Sequence, residues 1–301
     1  MKMRSITPGE IATKDLHQFI VGAVAPRPIA FVSTLDENGV ANIAPYSFFN
    51  AFSSNPPVLV FSSNRRVDNN ETKDTLHNVQ LNQEVVVNVV NYNIVRQMAL
   101  ASISYPAHIS EFDKSGLTPL QSEVVKPFRI KESPVQFECK VSEIITLGEH
   151  GGAGHLIICQ VVKLHIDEGV LDGERINPHK LDLVGRLGRA HYVRASGSNV
   201  FDVYQSVLQP ALGFDQLPSH LRESTVLTGN ELAQIAGLYE MPKEELIQEL
   251  MQSEEVTKVL ISVEEPGAEL LQGLHELAQK ALEEGQVEKA FGLAMVFDYI
   301  G

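Results

Sequence analysis

Two long alternating segments, Ser133–Leu147 and Gly154–Ile166, are separated by little more than the glycine-bearing run Gly148–Gly152. Period-two alternation over such lengths predicts one long antiparallel hairpin. A doubly wound α/β sheet cannot supply it, because its strands run parallel and return through helices. The rest of the N-terminal part agrees. Arg27–Thr34 and Val40–Ala44 flank the turn cluster Asp36-Glu37-Asn38-Gly39 and form a second hairpin, and Pro57–Ser62 and Glu84–Val90 are further strands. Only two short helices interrupt them: Lys73–Leu81, with Leu76 and Val79 on one face, and Ile94–Ile103, carrying Met98 and Leu100. The expected fold is mainly β, an antiparallel barrel with a few short helices. The tip Gly148-Glu149-His150-Gly151-Gly152-Ala153-Gly154, followed by His155, reads as a mobile turn and not as a metal site.

From Pro218 the period becomes helical. Thr228 and Glu231 form a capping box before Leu232, Ile235 and Ala236. Pro242 suits the first turn of a helix carrying Leu246, Ile247, Leu250 and Met251. Ala268–Glu284 is a third helix, stopped by Gly285, and Val287–Phe297 a fourth. The expected division is a barrel domain over 1–217 and an α-helical extension over 218–301, with Leu208–Pro218 as the connection. The net charge is −14, and Pro218–Gly301, with 16 acidic and 5 basic side chains, holds −11 of it, leaving −3 for the remainder. Such a tail repels phosphate backbones and anionic lipid. The helix-turn-helix rhythm of Leu232–Leu250 therefore does not read as a DNA-binding element, since Lys243-Glu244-Glu245-Leu246-Ile247-Gln248-Glu249 is acidic.

No apolar run is long enough to cross a bilayer, and the first residues lack the apolar core of a secretory signal. Cys139 and Cys159 sit in apolar stretches with no CxxC spacing, which points to reduced, buried thiols and a cytoplasmic protein. HExxH, P-loop, GxGxxG and GxSxG motifs are absent from the sequence.

Three stretches carry candidate chemistry. Ala25–Asn50 places Ser47 and Asn50 among the aromatics Tyr46, Phe48 and Phe49, which suits a flat ligand with a polar edge; the plain alternative is a capped strand end. Phe61–Asn78 places Ser62 and Ser63 at a strand end, then Arg65 and Arg66, then Thr72-Lys73-Asp74-Thr75 at a helix start. Free N–H groups there favour an anion, but the dipole contributes only ~0.3–1 kcal/mol, so a phosphate needs the Lys73 or arginine charge as well. The alternative is an ordinary capped helix with solvated arginines. Val184–Tyr192 offers Arg186 between two glycines, with Tyr192 nearby, for a ligand edge or a subunit boundary; a basic surface turn fits equally.

In this order the stretches resemble the flavin reductase-like family of FMN-binding split barrels, which includes flavoredoxin-type proteins. The residues carrying the resemblance are Pro26-Arg27-Pro28 with Phe31-Val32-Ser33-Thr34, Ala44-Pro45-Tyr46-Ser47-Phe48-Phe49-Asn50, Lys73-Asp74-Thr75 with Asn78, Glu111-Phe112 with Gly116-Leu117, Glu138-Cys139, and Gly185-Arg186-Leu187-Gly188 with Tyr192. The resemblance spans roughly residues 5–200, and Leu217–Asn230 is similar to an extension found in one branch. It implies a homodimer with FMN at the interface. Ser47 and Asn50 would touch the ring edge or ribityl chain, and Ser62, Ser63, Thr72, Lys73 and Thr75 the phosphate. Arg186 and Tyr192 are further contacts. It also implies hydride transfer from NADH or NADPH to flavin N5, with no side-chain acid–base pair, and a monooxygenase or electron-transfer partner downstream. The alternatives are an electron carrier without NAD(P)H activity of its own, and a binding or regulatory protein on the same barrel.

Overall fold

The computed structural model describes residues 2–106, 108–203, 209–263, 265 and 267–300. Leu208, expected to begin the connection, lies outside them. The chain forms two compact units, Met1–Phe201 and Asp202–Gly301.

In the first unit seven strands form one antiparallel sheet: β1 (Ala30–Leu35), β2 (Ala41–Tyr46), β3 (Phe49–Ser54), β4 (Pro57–Ser62), β5 (Glu84–Val89), β6 (Val135–Thr146) and β7 (His155–Ile166). Their order is β2-β1-β5-β6-β7-β4-β3. The two edge strands, β2 and β3, are consecutive in the chain, with only Ser47 and Phe48 between them. Three residue steps reach at most about 11 Å, so the two edges must come close and the sheet curls into a split barrel. The β6–β7 hairpin is the one expected from alternation. Strand β1 is buried along nearly its whole length. Ala30 and Val32 join a core with Leu59, Phe61, Val85, Val87 and Ile157, while Phe31 points into another with Ile43, Val90, Met98 and Ile130. Leu76 and Val79 of the helix Asp74–Asn82 close the first core, as their spacing predicts. In the helix Val95–Leu100, Met98 is buried but Leu100 is exposed.

Two elements escape the sequence pattern. Strand β3 has five of its six residues exposed, so it carries no burial alternation. The helix Thr13–Ala23 buries only Val21, and its C-terminal carbonyls are capped from outside by Arg27, whose guanidinium donates to Val21 O and Val24 O. Both cysteines are free and buried; burial pushes the Cys139 thiol up to about 12 and raises Cys159 as well.

The second unit is helical. Thr228 and Glu231 make both bonds of the capping box at the start of Gly229–Ala236. The helix Glu244–Met251 has Lys243 at its N-cap position, with no side-chain capping bond, so Pro242 lies outside that helix. The helix Glu254–Ser262 was not expected; it buries only Val256. Ala268–Glu283 and Val287–Met295 complete the main helices, and Leu221, Ile235, Ile247, Leu270, Leu274 and Phe291 form the core. Leu217 is buried in that core and Leu212 packs on it. The unit therefore begins before Pro218, because these two apolar residues need the helices to cover them. With 18 acidic and 5 basic side chains, Asp202–Gly301 carries −13, and residues 1–201 carry the remaining −1. Among the described residues no helix is long and apolar enough to cross a membrane.

Candidate functional site

Lys73 is the N-cap of the helix Asp74–Asn82, and its side chain does not cap it. The start of that helix borders a cavity of about 400 Å³, lined by Thr72, Lys73, Asp74 and Thr75 together with Asn42, Arg66, Glu71, Glu111 and the segment 101–105. Arg66 donates to Ser104 Oγ at 2.9 Å, while its buried Nε has no partner among the described residues. Neither Arg66 nor Lys73 forms an ion pair among the described residues. Burial, and then the Arg66 charge, push the Lys73 ammonium below its ordinary value. Two cations thus repel each other beside an uncapped helix start, which is an arrangement an anion relieves.

Thr75 is placed by a hydrogen-bond chain. The Glu111 carboxylate accepts from Ile43 N at 3.1 Å and Asn42 Nδ2 at 3.0 Å. This fixes the amide so that Asn42 Oδ1 accepts from Thr75 Oγ1 at 2.9 Å and Thr34 Oγ1 at 3.4 Å. Thr34 Oγ1 in turn accepts from Asn78 Nδ2 at 3.0 Å. The Thr75 proton is therefore committed to the framework. Burial raises Glu111, opposed by the N–H donors it accepts from.

Ser62 and Ser63 lie buried at the end of β4. Ser62 Oγ donates to Asn64 Oδ1 at 2.7 Å, whereas Ser63 Oγ, buried beside the Tyr46 hydroxyl, makes no hydrogen bond of full geometry among the described residues. The Ser63 carbonyl accepts from His155 Nδ1 at 3.0 Å, so His155 is a structural donor. Among the described residues no group of side chains could hold a metal.

The hairpin tip differs from the mobile turn expected. Gly152 N donates to Arg65 O at 3.1 Å, Arg65 N to Ala153 O at 2.9 Å, and Asn70 Nδ2 to Glu149 O at 3.1 Å. The tip is docked on the loop that carries Arg66. Glycine permits this approach: a Cβ at Gly151 would lie 2.8 Å from Val67 O and 2.9 Å from Arg66 O. Gly151→Ala should therefore destabilise the first unit by about 1–3 kcal/mol. Urea unfolding measures it, and an unchanged midpoint would return the tip to a free turn.

Ser47 Oγ accepts from Arg27 Nε at 3.4 Å. Arg27 lies 5.8 Å from the Phe48 ring centroid and exchanges backbone hydrogen bonds with Arg186. Arg186 belongs to the small hairpin Leu183–Gly188 and His191–Ala195; it stacks on Tyr192 at 4.5 Å and donates to its hydroxyl. Burial, and then Arg186, lower Arg27. Asn50 stands exposed on β3, where its Oδ1 accepts from Ala51 N. The structure thus gathers Thr72, Lys73 and Thr75 at one cavity, joins Ser47 through Arg27 to Arg186 and Tyr192, and leaves Asn50 on the edge strand. Sequence reasoning missed Tyr46, Asn42 and Glu111. Tyr46 and Glu111 stand within the quoted motifs, but nothing local marks their roles.

The flavin reductase like domain family matches residues 22–181. The chain belongs to that family. A protein of Aquifex aeolicus is 39% identical over 183 residues, covering 60% of this chain and 91% of its own. The structure of nitrilotriacetate monooxygenase component B from Bacillus cereus is similar at 33% identity and a TM-score of 0.63, over 67% of this chain and all of that one. That of the 2-nitrobenzoate 2-nitroreductase NbaA from Pseudomonas fluorescens is similar at 28% identity and a TM-score of 0.61, over 70% and 100%. The family match ends before the helical unit begins.

Proposed function

We propose that this flavin reductase-like protein binds FMN and oxidises NADH or NADPH with it. The observation that carries the reading is the pair of unpaired cations, Arg66 and Lys73, at the uncapped start of the helix Asp74–Asn82. These residues fit a phosphate monoester: the orphaned Arg66 Nε supplies a donor, Lys73 a charge, and the helix start its N–H groups. Thr72 lines the same seat and Thr75 holds its floor through Asn42, whereas Ser62 and Ser63, buried at the end of β4, do not line it. Ser47, Asn50, Arg186 and Tyr192 hold the ring and ribityl chain. The proximity of Arg27 and Arg186 keeps positive charge there, which favours an anionic ring edge. FMN, when bound, supplies the hydride-accepting centre. The side chains bind and orient, and no acid–base pair is required of them.

The reading includes a homodimer with the flavin at the subunit boundary, a cytoplasmic location, and delivery of reduced flavin to a monooxygenase or other electron-accepting partner. The Bacillus cereus relative, whose name makes it a monooxygenase component, supports the last point. Flavin binding is assigned to the first unit alone, and the acidic helical unit favours neither nucleic acid nor membrane as a partner.

Chromatography of the flavin released from the denatured protein should show FMN and no FAD. Titration should show Lys73→Ala weakening FMN binding by about 1.5–3 kcal/mol, one to two decades in affinity. NADH and NADPH oxidation with added FMN separates a reductase from an electron carrier, which would show none. FAD alone in the extract, or unchanged affinity in Lys73→Ala, contradicts the assignment.

A further inference from the structure

Lys73 is held by a ring and not by an acid. Its Nζ lies 4.7 Å from the centroid of the Tyr46 ring. Tyr46 ends β2, is 4% exposed, and leans on the fully buried Phe61 at 5.1 Å, so the ring has no room to turn away. Its buried hydroxyl sits beside Thr75 and Ser63 without a hydrogen bond of full geometry to any described residue, and Tyr46 does not line the cavity. A cation over an aromatic face is attracted by the ring quadrupole, more strongly where water is excluded. Lys73 needs such a hold, because its stem is flexible and Arg66 repels it.

We infer that Tyr46 is a positioning residue whose ring face, and not its hydroxyl, keeps the Lys73 ammonium at the start of the helix Asp74–Asn82. The inference rests on reading that cavity as a phosphate seat. It makes the tyrosine of Pro45-Tyr46-Ser47 part of the binding machinery without contact to the ligand.

The test measures FMN affinity for Tyr46→Phe, Tyr46→Leu, Lys73→Ala and the double variant Tyr46→Leu/Lys73→Ala, with folding checked by circular dichroism. It is paired with the NMR shifts of the Lys73 ε-CH₂ group in the flavin-free protein. Tyr46→Phe should keep affinity within about twofold, and Tyr46→Leu should weaken it about tenfold. The double variant should bind no worse than Lys73→Ala, since the ring acts through the ammonium. The ring-current shift on Lys73 should survive in Tyr46→Phe and vanish in Tyr46→Leu. Equal losses for Phe and Leu would make the hydroxyl the working group and overturn the inference, as would additive losses in the double variant. If Lys73→Ala leaves FMN binding intact, the phosphate seat itself is wrong, while the shift still reports on the contact. Should Tyr46→Leu not fold, Tyr46→Phe decides: lost affinity or a lost ring-current shift overturns the inference.

Discussion

Glu138→Ala is expected to cost the first unit about 3–5 kcal/mol, enough to unfold a domain of ordinary stability. Glu138 is fully buried on β6. Its carboxylate accepts from the backbone N–H groups of Glu123, Val124 and Val125 at 2.9, 2.6 and 3.0 Å, and from His165 Nε2 at 2.7 Å. Arg129 stands 4.0 Å away. Burial alone would raise this acid, but the donors outweigh it and bring it to about 2. Alanine would remove the shared acceptor of three backbone donors, that of Val125 buried, and of a half-buried histidine. The folded value lies below the ordinary 4.5, so the stabilisation is full above about 4.5 and is lost as pH falls through about 2. Urea unfolding of the two proteins at pH 7 is the measurement. A difference under about 1 kcal/mol would mean that the segment 122–127 is held by something else.

Acid should act on the helical unit earlier, and by about 3 kcal/mol. Ser224 Oγ accepts from Val226 N and Leu227 N, so its own proton goes to His275 Nδ1 at 2.9 Å. His275 Nε2 then donates to His220 Nδ1 at 3.4 Å, and His220 Nε2 donates to Asp298 Oδ2 at 3.3 Å. Every proton in the chain points toward Asp298, and His275 must stay neutral to take part. Burial first, and His220 second, lower it from 6.5 to about 4. A histidine with a depressed folded value takes up its proton first in the unfolded chain. Stability is therefore full above about 6.5, declines between there and about 4, and has lost its whole share below. At 1.36 kcal/mol per unit the share is about 3 kcal/mol. Hydrogen exchange of 219–300 against 130–166, from pH 7 to 4, should show the helical unit loosening first. His275→Gln should flatten that dependence; a slope that persists in the variant refutes the assignment to His275.

Much of the architecture was readable because β1, β4 and β5 are apolar, β-branched runs and the long segments β6 and β7 alternate. Strand β3 was not, because an exposed edge strand has no buried face to print a pattern. Glu138 and Cys139 are consecutive yet both buried, because a register shift between them breaks the alternation. Lys73 was found because a cation at a helix start is a local signal. Tyr46 and Glu111 were not, because they act across the fold: Glu111 reaches Asn42 over 69 residues of chain. The helix Glu254–Ser262 hid because one buried valine makes no stripe.

The docking of the hairpin tip has a consequence for how the cavity comes into being. The hydrogen bond from Asn64 to Gly152 O spans 88 residues. During synthesis Lys73 and the arginine loop emerge well before the strands that hold the loop in place. Contacts of such separation form slowly, since loop closure costs entropy before it is rewarded. The cavity beside Lys73 is thus a late product of folding, assembled only when β6 and β7 have zipped to their tip, and a chain stalled before that point carries Arg66 on an untethered loop.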